Sequence, residues 1–185
     1  MADSLRGRLL VAQPSLMDPN FHRTVVLILQ HGEDGAVGVV LNRPSETAML
    51  EALPDWAALA AAPARVFVGG PVVDDGAAIC LARVRGEVDE EAWSPVIDGV
   101  GTLAVSRAPE DVGAGVEEVR LFAGYAGWGR AQLEGEVEAG GWFVVPARPA
   151  DAFTTDPAGL WKAVLGRQRG ALAWFAGFPP DPGMN

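Results

Sequence analysis

The chain has 185 residues, about half of them hydrophobic, with six tryptophans and a formal net charge of −10. That is enough chain to bury a substantial core in one domain spanning 1–185, and too apolar for global disorder. The longest aliphatic run, Val25-Val26-Leu27-Ile28-Leu29, falls far short of the roughly 20 residues of a membrane-spanning helix. The apolar stretch Leu9-Leu10-Val11-Ala12 is too short for a secretory leader, so a cytoplasmic protein with no membrane partner is expected.

The charge is unevenly placed. Residues 1–85 carry nine acids and seven bases, 119–185 carry six of each, and 86–118 carry nine acids against Arg107 alone. Such a field repels phosphate backbones, so direct nucleic-acid binding is not expected. The 86–118 stretch is either a solvated face that aids solubility or a docking surface for a basic protein partner. Cys80 is the only cysteine. It excludes an intramolecular disulfide and, set in an apolar run with no adjoining base, reads as a small buried hydrophobe rather than a reactive thiol.

In chain order, residues 8–12 read as a short strand, and Pro14, Asp18 and Pro19 break the chain after it. Residues 24–30 form a continuous β-branched and aliphatic run, suited to a central buried strand. A turn at 31–35 returns the chain through a second strand at 36–41, the clearest hairpin in the sequence. Gly38 inside that strand predicts a bulge or a close backbone approach. Ser45 is a candidate helix cap leading into 46–53, with a second helical stretch at 55–62. Strands are expected at 65–68 and 77–84, with a turn at Asp74-Asp75-Gly76 between them, then at 101–106 and within 117–123. A helix at 130–138 places Leu133 and Val137 on one face. A strand at 142–145 and a helix at 157–169 capped by Asp156 complete the pattern, and the tail from Pro179 is expected to be loose. Frequent hairpins and more strands than helices give an α+β fold with a mixed, mainly antiparallel sheet surrounded by helices.

The sequence has no Walker-type phosphate loop, nucleophile elbow or His-Glu-x-x-His. Gly99-Val100-Gly101-Thr102-Leu103-Ala104 matches a dinucleotide-binding pattern in letters only, because a β-branched strand rather than a helix follows. With two histidines and one cysteine, no metal site and no cofactor are expected.

Two segments stand out. In Leu41-Asn42-Arg43-Pro44 a strand ends in an amide and a guanidinium, which either grip an anion or hold a turn and an internal acid. In Gly124-Tyr125-Ala126-Gly127-Trp128-Gly129, followed by Gln132, three glycines and two aromatics make either a loop whose free amides favour anions or a tight strand-to-helix corner. If the two segments adjoin, Asn42, Arg43, Tyr125, Trp128 and Gln132, with Arg23, line a pocket for a small anionic ligand.

Pro14-Ser15-Leu16-Met17-Asp18-Pro19-Asn20-Phe21-His22-Arg23-Thr24 resembles the opening signature of the YqgE/AlgH family. Gly35 to Pro44, Val68-Gly69-Gly70-Pro71-Val72, and Gly124 to Gly129 with Gln132-Leu133-Glu134 are similar to its further blocks, and Trp142 and Asp181-Pro182-Gly183-Met184-Asn185 also fit. The blocks run nearly end to end and in order. The resemblance implies a curved, bifurcated sheet surrounded by helices and supplies no catalytic residues. The family's AlgH-type members imply a link to regulation of alginate production. The segment 106–119 looks short against the family pattern, and Gly113 and Gly115 weaken any helix there. The readings are therefore a non-catalytic regulatory protein acting through protein partners, with any transcriptional role indirect, or a small-anion enzyme or sensor, as a monomer or an isologous homodimer.

Overall fold

The computed structural model describes residues 3–74 and 76–181. Asp75 of the predicted Asp74-Asp75-Gly76 turn and residues 182–185 of the closing motif lie outside the described residues.

The strands are β1 (Arg8–Ala12), β2 (Val25–Gly32), β3 (Gly35–Val40), β4 (Pro44–Ala48), β5 (Arg65–Val68), β6 (Ala78–Val84), β7 (Trp93–Ile97), β8 (Val100–Leu103), β9 (Val116–Ala123), β10 (Ala126–Gly129) and β11 (Trp142–Pro146). The helices are α1 (Met49–Ala52), α2 (Pro109–Val112), α3 (Gln132–Glu138), α4 (Pro149–Ala152), α5 (Leu160–Gly166) and α6 (Ala171–Phe175), with a 3-10 helix at Pro54–Leu59. The strands form two mostly antiparallel sheets, ordered β10-β3-β2-β1-β11 and β4-β5-β9-β6-β8-β7, with β5 and β9 parallel. The α+β class expected from the sequence is the one observed.

Side-chain alternation sorts the core. Leu9 and Val11 of β1 and Val25, Leu27 and Leu29 of β2 face inward. There they meet Phe67, Leu81, Val100 and Phe122 of the second sheet and Leu160, Trp161, Val164 and Leu165 of α5. Leu10, Ala12, Val26 and Ile28 point the other way, toward Trp128, Leu133 and Trp142. Met49, Trp56, Cys80, Ala82, Val119 and Leu121 fill the outer face of the second sheet. Leu133 and Val137, predicted to share a helix face, both pack on the first sheet's outer cluster.

The two sheets share strands that continue from one into the other. β3 leads directly into β4, and β9 leads through Gly124-Tyr125 into β10. In the first sheet β3 and β10 are neighbours, whereas in the second β5 stands between their continuations. Gly69-Gly70 lies in the crotch of this fork. The Gly69 amide donates to the Ala123 carbonyl and its carbonyl accepts the Val40 amide, each at 2.8 Å. A Cβ on Gly70, whose φ is +157°, would lie 2.2 Å from the Tyr125 carbonyl carbon, so only glycine fits this approach. The bifurcated sheet implied by the family resemblance is this fork.

Several local expectations change. The helix predicted from Ser45 is absent: 44–48 is an edge strand beside β5, and Ser45 Oγ donates to the Val66 carbonyl at 2.7 Å instead of capping a helix. Only the single turn α1 follows. Of the stretch 55–62 expected as helix, 55–59 lie in the 3-10 helix Pro54–Leu59 and 60–62 are not helical. The Gly124–Gly129 block is a crossing and an edge strand, not a corner running straight into a helix. Gly38 behaves as predicted, opposite a bulge between Ile28 and Gln30, with a built Cβ only 2.8 Å from the Leu27 carbonyl oxygen. Residues 109–112 form one helical turn, which ends at Gly113 with a φ of +135°.

Candidate functional site

The loop from Gln13 to Thr24, between β1 and β2, is the segment on which the shared sequence blocks converge. Its own residues begin the ordering. Asp18 Oδ1 accepts the Asn20 amide at 2.9 Å, and the Asp18 carbonyl accepts the amides of Phe21 and His22. Pro19 presets the backbone dihedral of this turn. Thr24, fully buried, closes it by donating Oγ1 to the Phe21 carbonyl at 2.7 Å.

Asn42 and Arg43 then hold the loop from outside. Asn42 Nδ2 donates to the Arg23 carbonyl at 2.9 Å, and its Oδ1 accepts the Val25 amide at 3.1 Å. Arg43 donates from Nη1 to the Asn20 carbonyl at 2.6 Å and from Nη2 to the His22 carbonyl at 3.2 Å. Burial lowers the Arg43 pKa, and the nearby Asp18 charge partly offsets this. Arg43 remains cationic, because the guanidinium pKa starts so high.

Phe21 ties the loop to the aromatic block. Its ring stacks on Trp128 at 6.2 Å between centroids and meets Trp142 edge-on at 5.4 Å. Trp128 lies in β10 and Trp142 in β11, at opposite edges of the first sheet, so the sheet is curled enough for its edges to meet over Phe21. Gln132 Oε1 accepts the Gly129 amide, and its Nε2 donates to Glu136 Oε1, each at 3.0 Å. The amide proposed from the sequence as an anion donor is thus already bonded. Tyr125 is half-buried against the inter-sheet core, bridged to Val72 at the fork.

The six residues singled out in the sequence therefore do not line one pocket. Asn42 and Arg43 stand beyond one end of β3, while Trp128 and Gln132 stand by the other, where Gly129 pairs with Gly35. At about 3.3 Å per residue, the ends are more than two side-chain lengths apart. The two segments meet only through the 13–24 loop that both hold.

Arg23 is the exception. It has a left-handed backbone, φ 56°, one of two such non-glycine residues among those described; this conformation is costly for a residue with a Cβ and is held by the surrounding bonds. Its guanidinium lies 4.0 Å from the Trp161 ring centroid, and Nη1 donates to the Phe178 carbonyl at 3.0 Å. Burial lowers its pKa. With Pro14, Ser15, Met17, His22, Phe178 and Pro179 it lines a largely apolar cleft of about 380 Å³. Met17 and Phe178 are exposed there, at 55% and 45%. The tail expected to be loose from Pro179 is docked as far as Pro180, whose carbonyl faces His22 Nε2 at 3.1 Å. His22, Met17 and Phe178 were not singled out as site residues; the one signal was His22 beside Arg23 within the first block.

The chain as a whole matches a known group. A family model described as DUF179, AlgH-like matches residues 9–173. The chain belongs to this AlgH-like family. It is 48% identical to the UPF0301 protein SCO2948 of Streptomyces coelicolor over 98% of this chain and 96% of that protein. A UPF0301 protein of Thermobifida fusca is 42% identical over 98% and 96%. Among solved structures, protein DIP2367 of Corynebacterium diphtheriae superposes with a TM-score of 0.86 at 30% identity, covering 96% of this chain and 94% of that one. The solution structure of the AlgH protein of Pseudomonas aeruginosa gives 0.67 at 28% identity, covering 97% and 96%.

Within this AlgH-like chain, the remaining chemistry-bearing side chains are also engaged. His31 Nε2 donates to Glu134 at 2.8 Å while Nδ1 accepts the Leu5 amide at 2.9 Å, which fixes the neutral tautomer. The Glu134 carboxyl sits below its usual range, first through its own backbone amide and then through His31. Cys80 is buried and its thiol is pushed up to about 12 by burial, so it is not a nucleophile near neutral pH. Among the described residues no group of three or more His, Cys, Asp or Glu is placed to hold a metal ion. No helix among them is long and apolar enough to cross a membrane.

Proposed function

We propose that this member of the family is a non-catalytic cytoplasmic binding or regulatory protein that works through contacts with a protein partner. The carrying observation is that Asn42, Arg43, Trp128 and Gln132 all spend their polar groups on internal bonds. What they build is a rigid loop whose Met17 and Arg23, with Phe178 of the docked C-terminal segment, surround a small apolar cleft. Such a cleft suits one apolar side chain of a partner, with an adjoining carboxylate meeting Arg23.

The acidic 86–118 face offers a second contact. Part of its charge is internal: Asp89 pairs with Arg107, Glu117 with Arg85 and Glu118 with Arg83. Glu87, Glu90 and Glu110 form no salt bridge among the described residues and leave a field complementary to a basic partner. The same field disfavours duplex DNA, so any effect on transcription is indirect.

A photo-crosslinking residue placed at Met17 in the full chain, expressed in its own cell type, tests this. The expected result is a discrete protein adduct at Met17 that a control position such as Leu50 does not give. Tight binding of duplex DNA at about physiological salt would overturn the reading. A small carboxylate or phosphate that raises the melting temperature of the wild type but not of Arg23→Ala would move the assignment to a small-anion sensor.

A further inference from the structure

Arg23 lines the cleft with hydrogen-bond donors to spare. A guanidinium carries five N–H groups in one plane. Nη1 donates to the Phe178 carbonyl at 3.0 Å, while Nε and Nη2 make no hydrogen bond among the described residues. Nε and Nη2 together form the side of the fork that grips a carboxylate through two parallel bonds. The Trp161 ring, 4.0 Å from the guanidinium carbon, sets the plane of that fork. Trp161 is itself buried and pinned, its Nε1 donating to the Ala12 carbonyl at 2.9 Å. No nearby acid offsets the burial that lowers the Arg23 pKa. The result is a pre-oriented cation without a counter-charge.

The other walls are of a different kind. Pro14, Met17, Phe178 and Pro179 are apolar, and Ser15 adds a hydroxyl that makes no hydrogen bond among the described residues. An occupant that satisfies this cleft brings an apolar group and an anion together. In an extended chain neighbouring side chains point to opposite faces, and the next on the same face is about 7 Å away. A chain passing through would also bury the peptide groups on both sides of its anchor, and buried peptide groups need partners. Few are offered: the Phe178 carbonyl is taken by Arg23, and those of Leu16 and Pro180 face the His22 ring. A chain-terminal residue avoids both problems. It carries its side chain and its carboxylate on one carbon, and the backbone stops there.

We propose that the cleft receives the C-terminus of a protein partner: the last side chain, a large apolar one, lies between Met17 and Phe178, and the terminal carboxylate bonds to Nε and Nη2 of Arg23 beside the Ser15 hydroxyl. The contact rests on reading that cleft as the partner's seat, and it narrows the partner to chains that end in an apolar residue.

The test uses three acetylated synthetic peptides and nuclear magnetic resonance of the full chain, following the Met17 methyl and the Arg23 side-chain signals. The first is four alanines and a terminal leucine as the free acid, the second is the same peptide as its amide, and the third is an amide in which aspartate follows the leucine. The free acid should bind at least about tenfold more tightly than either amide, the worth of one charge-assisted contact. Arg23→Gln, checked for an unchanged Val25 amide signal, should erase that preference, and Arg23→Lys should restore only part of it, since an ammonium lacks the fork. The acid–amide comparison needs only the wild type, so it decides even if the variants fold poorly.

Equal binding of the acid and its amide overturns the terminal contact, as does a third peptide that binds as tightly as the first. So does the absence of any shift at Met17 and Arg23. N-acetyl-leucine binding more tightly than the pentapeptide acid would make the occupant a free small acid and likewise overturn it. Mapping the Met17 crosslink separates this from the cleft reading. An adduct within the partner's last residues upholds both, whereas an adduct to an internal segment upholds the cleft as a seat and overturns the terminal contact. Peptide acid binding with no cellular adduct at Met17 upholds the carboxylate chemistry and overturns the cleft as a protein partner's seat.

Discussion

Trp128 and Trp142, from opposite edges of the first sheet, donate their indole N–H groups to the same oxygen, Glu136 Oε2, each at 2.9 Å. Their rings are 6.2 Å apart, and Phe21 fills the angle between them. One carboxylate on α3 therefore fastens both sheet edges and, through Phe21, the candidate loop. Glu136→Ala should leave two nearly buried indole donors without their acceptor and lower the unfolding free energy by about 2–3 kcal/mol. Chemical denaturation measures this. A loss under about 0.5 kcal/mol would mean that water replaces the carboxylate fully.

Asn42 and Arg43 should behave as structural residues. Asn42→Ala removes a bond at each amide atom, and Arg43→Ala removes two bonds to loop carbonyls. Each variant should cost about 1–3 kcal/mol of stability and speed hydrogen exchange at the Val25 amide, which Asn42 holds directly. If Arg43→Ala folds with wild-type stability and instead abolishes binding of a small anion, the guanidinium is a ligand group after all.

The sequence made the hairpin of β2 and β3 readable because its signals are local: an aliphatic run, a Gly-rich turn and a return run. The ordered blocks made the family and its forked sheet readable. Residues 44–48 were misread because Ser45 after Pro44 has the letters of a helix cap, while its true partner, the Val66 carbonyl, lies 21 residues away. β7 was hidden under the label of an acidic stretch, although Trp93 and Ile97 pack inward against the two cores. Asn42 and Arg43 look the same in sequence whether they bind a ligand or a loop. Their role depends on where residues 20–25 fold back, which no local pattern encodes. The cleft was invisible for the same reason, since Phe178 meets Arg23 across 155 residues.

Gly70 carries a prediction about the fork. A Cβ there would lie 2.2 Å from the Tyr125 carbonyl carbon and 2.4 Å from the Ala126 nitrogen. These atoms belong to the peptide that leads into β10, which cannot withdraw without disturbing the pairing of Ala126 with Gly38 of β3. Gly70→Ala should cost at least about 3 kcal/mol or prevent soluble expression. Gly135→Ala is the control: nothing lies within 4 Å of its built Cβ, and an added methyl on exposed helix should be stabilising by about 0.5–1 kcal/mol.

Arg120 is buried on the inter-sheet side over Phe67, with its guanidinium carbon 4.2 Å from the ring centroid. It donates to the carbonyls of Ala62, Ala152 and Thr154. Burial pulls its pKa down to about 10, with Glu118 opposing. The fork of donors matches three carbonyls on two segments, Ala62 on one and Ala152 and Thr154 on the other, which a single ammonium cannot do. Arg120→Lys should therefore lose about 2–4 kcal/mol, read by thermal and denaturant unfolding. Wild-type stability in that variant would show that the charge alone matters, not its geometry.

Cys80 makes the last prediction, with a defined pH window. Its thiol is held up to about 12 from an ordinary 9.0, mainly by burial and slightly opposed by the Arg120 backbone amide. The folded state keeps the proton while the unfolded chain releases it between these values. The resulting contribution to stability is fully present below pH 9 and is lost as pH rises toward 12. Cys80→Ala removes this term, so its stability should decline less steeply than that of the wild type above pH 9. At pH 8 an alkylating reagent should leave the native thiol unmodified over the time in which it labels the denatured chain completely. Rapid native labelling would mean that β6 opens locally at low cost, and the buried reading of Cys80 would fall with it.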